Sequence, residues 1–165
     1  MDAEAAMSSS RATPIVIAAL AAVLVAALGA TMTDIGPWYQ ALRKPGWQPP
    51  DWLFGPAWTL IFACAALSAA TAWRDAQDGR TRDWVIGLFA INGFLNVLWS
   101  FLFFRYRRPD LALLEVSALW LSILVLIVFT TRFSRSAALL LYPYLAWVSF
   151  AAVLNWAVVR LNPSF

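Results

Sequence analysis

Asn92, Asn96, Trp99 and Phe103 stand at i, i+4, i+7 and i+11, a spacing that puts two amides, an indole and a phenyl ring on one face of one helix. Further along, Tyr144, Trp147, Ala151 and Asn155 share a face in the same way and combine aromatic surface, a small gap and one polar group. Bare amides are poorly suited to face lipid, so such faces are expected to look into a helix bundle, toward other helices or a bound molecule. The same amides also serve as interhelical glue, with bonds of roughly 0.6 to 2 kcal/mol, and the sequence leaves both roles open for Asn92, Asn96 and Asn155. Covalent chemistry is poorly supplied. The chain has no histidine, so HExxH zinc sites and Ser-His-Asp triads are excluded, and no metal site is expected. Cys64 is the one cysteine, so no internal disulfide or CxxC pair exists. No cluster of acid, base and nucleophile is visible, no P-loop is present, and no obligatory cofactor is expected. Glu115 is the one acidic side chain within an apolar run. It is expected to point inward, either for a structural hydrogen bond or for ligand passage, because a charge at mid-bilayer costs at least about 2.5 kcal/mol.

The elements that hold these faces follow from composition. Of the 165 residues, 62% are hydrophobic and 13% charged, and the mean hydropathy of +0.69 is far from that of a water-soluble domain. No charge occurs between Pro14 and Met32 or between Asp51 and Arg74. Runs of about 20 such residues cross a hydrocarbon layer roughly 30 Å thick. Apolar runs at about 14–33, 52–73, 84–104, 111–131 and 137–159 therefore predict an all-α, multi-pass integral membrane protein, a bundle of five transmembrane helices. A helix satisfies its own backbone in lipid, and no alternating pattern points to a barrel. The expected organisation is a polar tail at 1–13, one membrane domain at 14–160 and a short tail at 161–165. The first run also has features of a signal-peptide core, with small residues at Ala27, Gly29 and Ala30. Its length, and Asp2 and Glu4 in the leader, favour a retained helix.

The net charge of +3 comes from basic residues at the ends of the runs, which fits membrane flanks and not a nucleic-acid surface. Six of them fall on one side (Arg11, Arg74, Arg80, Arg82, Arg132, Arg135) and six on the other (Arg43, Lys44, Arg105, Arg107, Arg108, Arg160), so the positive-inside rule selects no orientation. Ala18, Ala22, Ala26 and Ala30 recur every four residues and draw a ridge without bulk along the first span. Such a ridge allows close helix approach, either within the monomer or along a homodimer seam.

Only the first connection is long. Its segment KPGWQPPDWLFGPAW, Lys44 to Trp58, is stiffened by prolines, so Lys44 to Pro50 is expected to be an ordered, non-helical cover, with Asp51 as N-cap of the second span. Trp38, Tyr39, Trp47 and Trp52 fit an interfacial aromatic belt. The belt explains the rings but not the prolines or the length, and long structured loops are disproportionately functional.

From Trp38 to Thr59, WYQALRKPGWQPPDWLFGPAWT resembles the opening signature of the TspO/MBR family, the translocator proteins. NGFLNVLWSFLFF, Asn92 to Phe104, is similar to the family's third-helix motif, and YPYLAW with LNW, Tyr142 to Trp156, to its fifth-helix motif. The resemblance implies five helices around a cavity capped by the first loop, which accepts porphyrins, sterols or synthetic ligands. Its implied ligand is a porphyrin or haem-like tetrapyrrole, and its implied role is that of a receptor or transporter in stress or tetrapyrrole homeostasis. On this reading Tyr39, Pro49, Trp58, Asn92, Asn96, Trp99, Trp147, Ala151 and Asn155 meet the ligand, and Arg43 or Lys44 meets its carboxylates. Two alternatives accompany it. One is light- and oxygen-dependent porphyrin breakdown with Trp58 and Trp147 as electron partners. The other is a non-catalytic partner protein, assembled through the alanine ridge and regulated by ligand. In VLNWAVVR, Val153 to Arg160, tryptophan stands where a sterol-binding pattern has tyrosine, which argues against sterol binding there.

Overall fold

The computed structural model describes residues 2–163, with side chains from residue 13 onward. Its elements are α1 (Asp2–Met32), α2 (Pro37–Ala41), a 3₁₀ turn (Asp51–Leu53), α3 (Phe54–Asp75), α4 (Gly79–Ser100), a π turn (Phe101–Arg105), α5 (Pro109–Thr131), α6 (Arg135–Leu139) and α7 (Tyr142–Leu161). Five stretches are long and apolar enough to cross a membrane: Thr13–Met32, Asp51–Asp75, Gly79–Arg105, Pro109–Thr131 and Arg135–Leu161. No strand occurs among the described residues.

Local sequence sets most boundaries. Asp78 caps α4, accepting from the backbone N–H of Thr81 at 2.9 Å and from its hydroxyl at 2.7 Å, and these bonds hold its carboxyl below the usual carboxylate range. Pro109 opens α5, where its missing N–H costs nothing. Ser134 caps α6 through Ala137 N–H and also donates to Asp75 at 2.6 Å, tying the end of α3 to the α5–α6 turn.

Several boundaries differ from the sequence expectation for stated reasons. α1 begins at Asp2 and not near residue 14, because Ala, Glu, Met and Arg dominate the leader and all favour helix. The fifth apolar run is not one helix. Pro143 lies in the first turn of α7 and cannot continue a helix from upstream, so α6 stops at Leu139 and the chain restarts at Tyr142. The third run leaves α-geometry after Ser100, where Tyr106 N–H reaches the Phe101 carbonyl at 2.7 Å. Such π turns occur often at functional positions. Arg107, at φ 58, then reverses the chain into α5.

The packed core is centred on α5. Leu119, Ile123, Leu126, Leu141, Tyr144 and Val148 are almost wholly enclosed. α5 packs against α4, α6 and α7, whereas α1 packs on α3 and α4 from outside that core. Gly93 eases the approach of α1 to α4: a Cβ there would lie 2.9 Å from Val25 Cγ2, and one of the two would have to shift.

Candidate functional site

Beside this core lies a cavity of about 800 Å³, within the range of roughly 300–1,000 Å³ typical of ligand sites. Its walls come from α1, α3, α4 and α7, and its cover from the first loop. α3 contributes Phe54, Trp58 and Phe62, spaced by four; the Trp58 and Phe62 rings stack at 5.4 Å. Trp147 of α7 meets Trp58 edge to face at 6.3 Å and Phe54 at 5.8 Å. On α4, Trp99 stacks on Phe103 at 5.3 Å, so the π turn keeps both rings on the cavity side.

The polar groups behind these rings bond mainly to one another. Trp99 Nε1 donates to Asn155 Oδ1 at 3.2 Å, and Asn155 Nδ2 donates to the Pro109 carbonyl at 2.9 Å. Asn96 Nδ2 donates to the Tyr144 hydroxyl at 3.1 Å, while Asn96 also borders the cavity. These buried bonds orient the wall and satisfy amides that lipid could not.

Among the described residues, formal charge enters the lining only from the cover, at Lys44 and Asp51. The loop is a folded unit. Asp34 accepts from Gly36 N–H at 2.9 Å, folding the start of the loop back on itself. Tyr39 is buried against Phe103, Ala112 and Val158. Its hydroxyl donates to Asp51 Oδ1 at 3.1 Å, and Gln48 Nε2 donates to both, at 3.3 Å to Tyr39 and 3.2 Å to Asp51. Burial, reinforced by the Asp51 carboxylate, pushes the Tyr39 phenol up to about 12, so it remains a donor at neutral pH. Lys44 Nζ sits 3.6 Å from the Tyr39 ring centroid, a cation–π contact at the roof of the cavity.

The sequence profile of the TspO/MBR family matches residues 15–161. The chain belongs to the TspO/MBR family. It is 40% identical over 126 residues to the tryptophan-rich protein TspO of Chlorobaculum tepidum, covering 76% of this chain and 80% of that one. To the protein CrtK of Rhodobacter capsulatus it is 34% identical over 143 residues, 86% and 89% of the two chains. To the human translocator protein it is 35% identical over 127 residues, 76% and 75% of the two. A TspO/MBR chain with five spans is a multi-pass integral membrane protein, as its composition predicts.

Of the residues that the TspO/MBR resemblance nominates, Tyr39, Lys44, Trp58, Asn96, Trp99, Trp147, Ala151 and Asn155 surround one cavity. Three do not. Asn92 turns to α5 and donates to Ser122 Oγ at 2.8 Å. Pro49 is half-buried in the loop outside the lining, and Arg43 is held through its backbone at the C-terminal end of α7. In the alanine ridge, Ala22, Ala26 and Ala30 face the cavity and Ala18 stands beyond it. Asp51 is not an N-cap: it opens the 3₁₀ turn with its carboxylate directed to Tyr39 and Gln48. Of the four belt aromatics, Trp47 and Trp52 are exposed, Trp38 is half-buried and Tyr39 is enclosed. Glu115 is half-buried, with both carboxyl oxygens shielded and without a hydrogen-bond partner among the described residues.

Sequence reasoning missed Phe54, Phe62, Gln48 and Asp51 as lining residues. The spacing of Phe54, Trp58 and Phe62 carried a signal for the first two. Nothing local reveals that Gln48 and Asp51 fold back onto Tyr39.

Proposed function

We propose that this protein binds a flat hydrophobic ligand of the tetrapyrrole class in the bundle cavity, as a membrane receptor or transporter-like protein of tetrapyrrole homeostasis. The observation that carries this reading is the cavity itself. It holds about 800 Å³ between the indoles of Trp58, Trp99 and Trp147, with the lining charges Lys44 and Asp51 at the covered end. Indole and phenyl faces offer dispersion contact to a macrocycle, and the lysine ammonium offers a partner for a carboxylate at the rim. Arg43 was the other candidate for that partner; its side chain is not part of the lining, which favours Lys44.

Titration of the purified protein with protoporphyrin IX tests the reading. Saturable quenching of tryptophan fluorescence is expected, weakened at least about tenfold in affinity by Trp58→Ala and by Trp147→Ala in variants that keep their helical content. Quenching that is equally tight in both variants would remove this cavity from consideration.

A second reading is favoured by one contact, the 6.3 Å edge-to-face pair of Trp58 and Trp147 on the cavity wall. Two adjacent indoles beside a photoexcited ring are suited to serve as electron donors in light- and oxygen-dependent porphyrin breakdown. Illumination with and without oxygen decides it: pigment loss no faster than with an inert membrane protein rejects catalysis and leaves binding intact.

A further inference from the structure

Loop residues 34–50 cover the cavity but make almost all of their hydrogen bonds within the loop or to its own end at Asp51. Among the described residues, one place breaks that pattern. Asn162, directly after α7, accepts from Arg43 N–H through Oδ1 at 3.0 Å and donates from Nδ2 to the Arg43 carbonyl at 2.9 Å. A side-chain amide carries one acceptor and a pair of donors, so it pairs with a peptide unit as a neighbouring strand would. The second hydrogen of Nδ2 is directed to the Val158 carbonyl at 2.8 Å, one of the carbonyls that the end of α7 leaves without a helical partner. Both donors of Asn162 are therefore used, and its bonds to Arg43 link residues 119 positions apart.

The placement matters because Leu42 and Lys44, on either side of Arg43, both line the cavity. The loop's other ties to the bundle are of a different kind. Tyr39 seats in the apolar cluster that includes Val158, and Trp47 meets Phe150 at 5.9 Å. Asp34 and Arg107 lie 3.9 Å apart with both side chains about half exposed, a geometry that contributes little. The Asn162–Arg43 pair differs from these in being a two-way hydrogen bond to the loop backbone.

We propose that the Asn162–Arg43 backbone pair is the fastener of the cavity cover, and that Asn162 is a positioning residue which sets how fast the cavity opens. The inference rests on the proposed reading that the cavity is the binding site. The clasp has to break for passage in either direction, so losing it lowers the cost of opening for entry and release alike. Asn162→Ala speeds both entry and release of protoporphyrin IX, each by about tenfold for two hydrogen bonds, while the equilibrium affinity stays nearly constant.

The experiment has three readouts on wild type, Asn162→Ala and Asn162→Asp, the last keeping the acceptor for Arg43 N–H but losing both donors. Amide hydrogen exchange at Arg43 is expected to accelerate in the alanine variant and less in the aspartate variant, with Gln48 N–H, bonded within the loop to Pro45, unchanged. Stopped-flow quenching is expected to show association and dissociation rising together. Maleimide labelling of Ala151→Cys in a Cys64→Ser background is expected to quicken when Asn162→Ala is added, which reads opening without any ligand. Faster Arg43 exchange with labelling and ligand rates unchanged overturns the proposal, as does unchanged exchange. A weaker affinity from faster release alone also overturns it, since that would make Asn162 a binding residue. Absence of protoporphyrin quenching in wild type would reject the binding reading, and the exchange and labelling results would still decide the clasp.

Discussion

The first and fourth membrane spans are nearly equal in apolarity, with mean hydropathies of 2.6 and 2.5, yet the structure uses them oppositely. In the fourth, α5, 39% of the most apolar stretch is buried, and its Leu119, Ile123 and Leu126 are the axis of the packed core. In the first, α1, the share is 6%; Ile17 and Leu20 are about two-thirds exposed, while Ala22, Ala26 and Gly29 border the cavity. Lipid tails are as apolar as leucine, so hydropathy does not decide which helix occupies the centre of a bundle. Packing partners decide it. α5 is met by side chains of α4, α6 and α7, whereas α1 offers methyl groups and hydrogens on its inner face and leaves space that the opposite wall does not fill. One helix makes the protein stable and the other makes it hollow.

The sharpest way to break this contrast is to delete the same side chain from each helix. Leu119→Ala is expected to cost about 2–5 kcal/mol in a detergent or lipid unfolding titration, because it leaves a void in a close-packed region. Leu20→Ala, on the exposed face of α1, is expected to change stability by less than about 0.5 kcal/mol. Equal losses would mean that α1 is as much a part of the core as α5.

A smaller effect, on binding and not on folding, is expected from filling the space that α1 leaves. Ala26→Leu should lower protoporphyrin affinity by about tenfold with unfolding essentially unchanged. If affinity survives while the oligomeric state shifts, the ridge is a homodimer seam and not a cavity wall.

The smallest expected effect concerns the cover. Tyr39→Phe removes the bond to Asp51 and is expected to cost about 0.5–1.5 kcal/mol, read as faster amide exchange across loop residues 38–48. The pH dependence has a defined sign. The enclosed phenol binds its proton more tightly than an unfolded tyrosine, so its contribution is complete below about pH 10 and is lost as pH rises through about 12. Ultraviolet titration of the phenolate checks this: Tyr39 ionising with the ordinary tyrosines would show that it is not enclosed.

Much of the cavity wall was legible because membrane chemistry is restrictive. A bare amide such as Asn96 or Asn155 has nowhere to go but the interior, and an indole spaced at helical intervals from it must follow. The same rule does not say which interior. Asn92 and Asn96 lie one turn apart on α4, yet Asn92 bonds across to Ser122 of α5 while Asn96, which borders the cavity, meets the buried Tyr144. For the loop, the prolines at 45, 49 and 50 announced an ordered, non-helical cover, and residues 44–50 are non-helical. Its polar interior was not legible, since Asp51 and Gln48 converge on Tyr39 only after the chain has turned back. Asn162, in a segment expected to be a tail, gave no local sign of its partner 119 residues away.

Length and polarity of the uncharged runs, the lack of histidine and the ordered aromatic motifs were enough to determine a histidine-free membrane bundle of the TspO/MBR type with rings and amides facing inward. These are one-dimensional facts, because backbone satisfaction in lipid and helical periodicity act along the chain. Which apolar helix fills the centre, which amide faces the hollow and what holds the cover shut were decided only by the tertiary structure. Those outcomes depend on contacts between residues far apart in sequence, whose register no local pattern records.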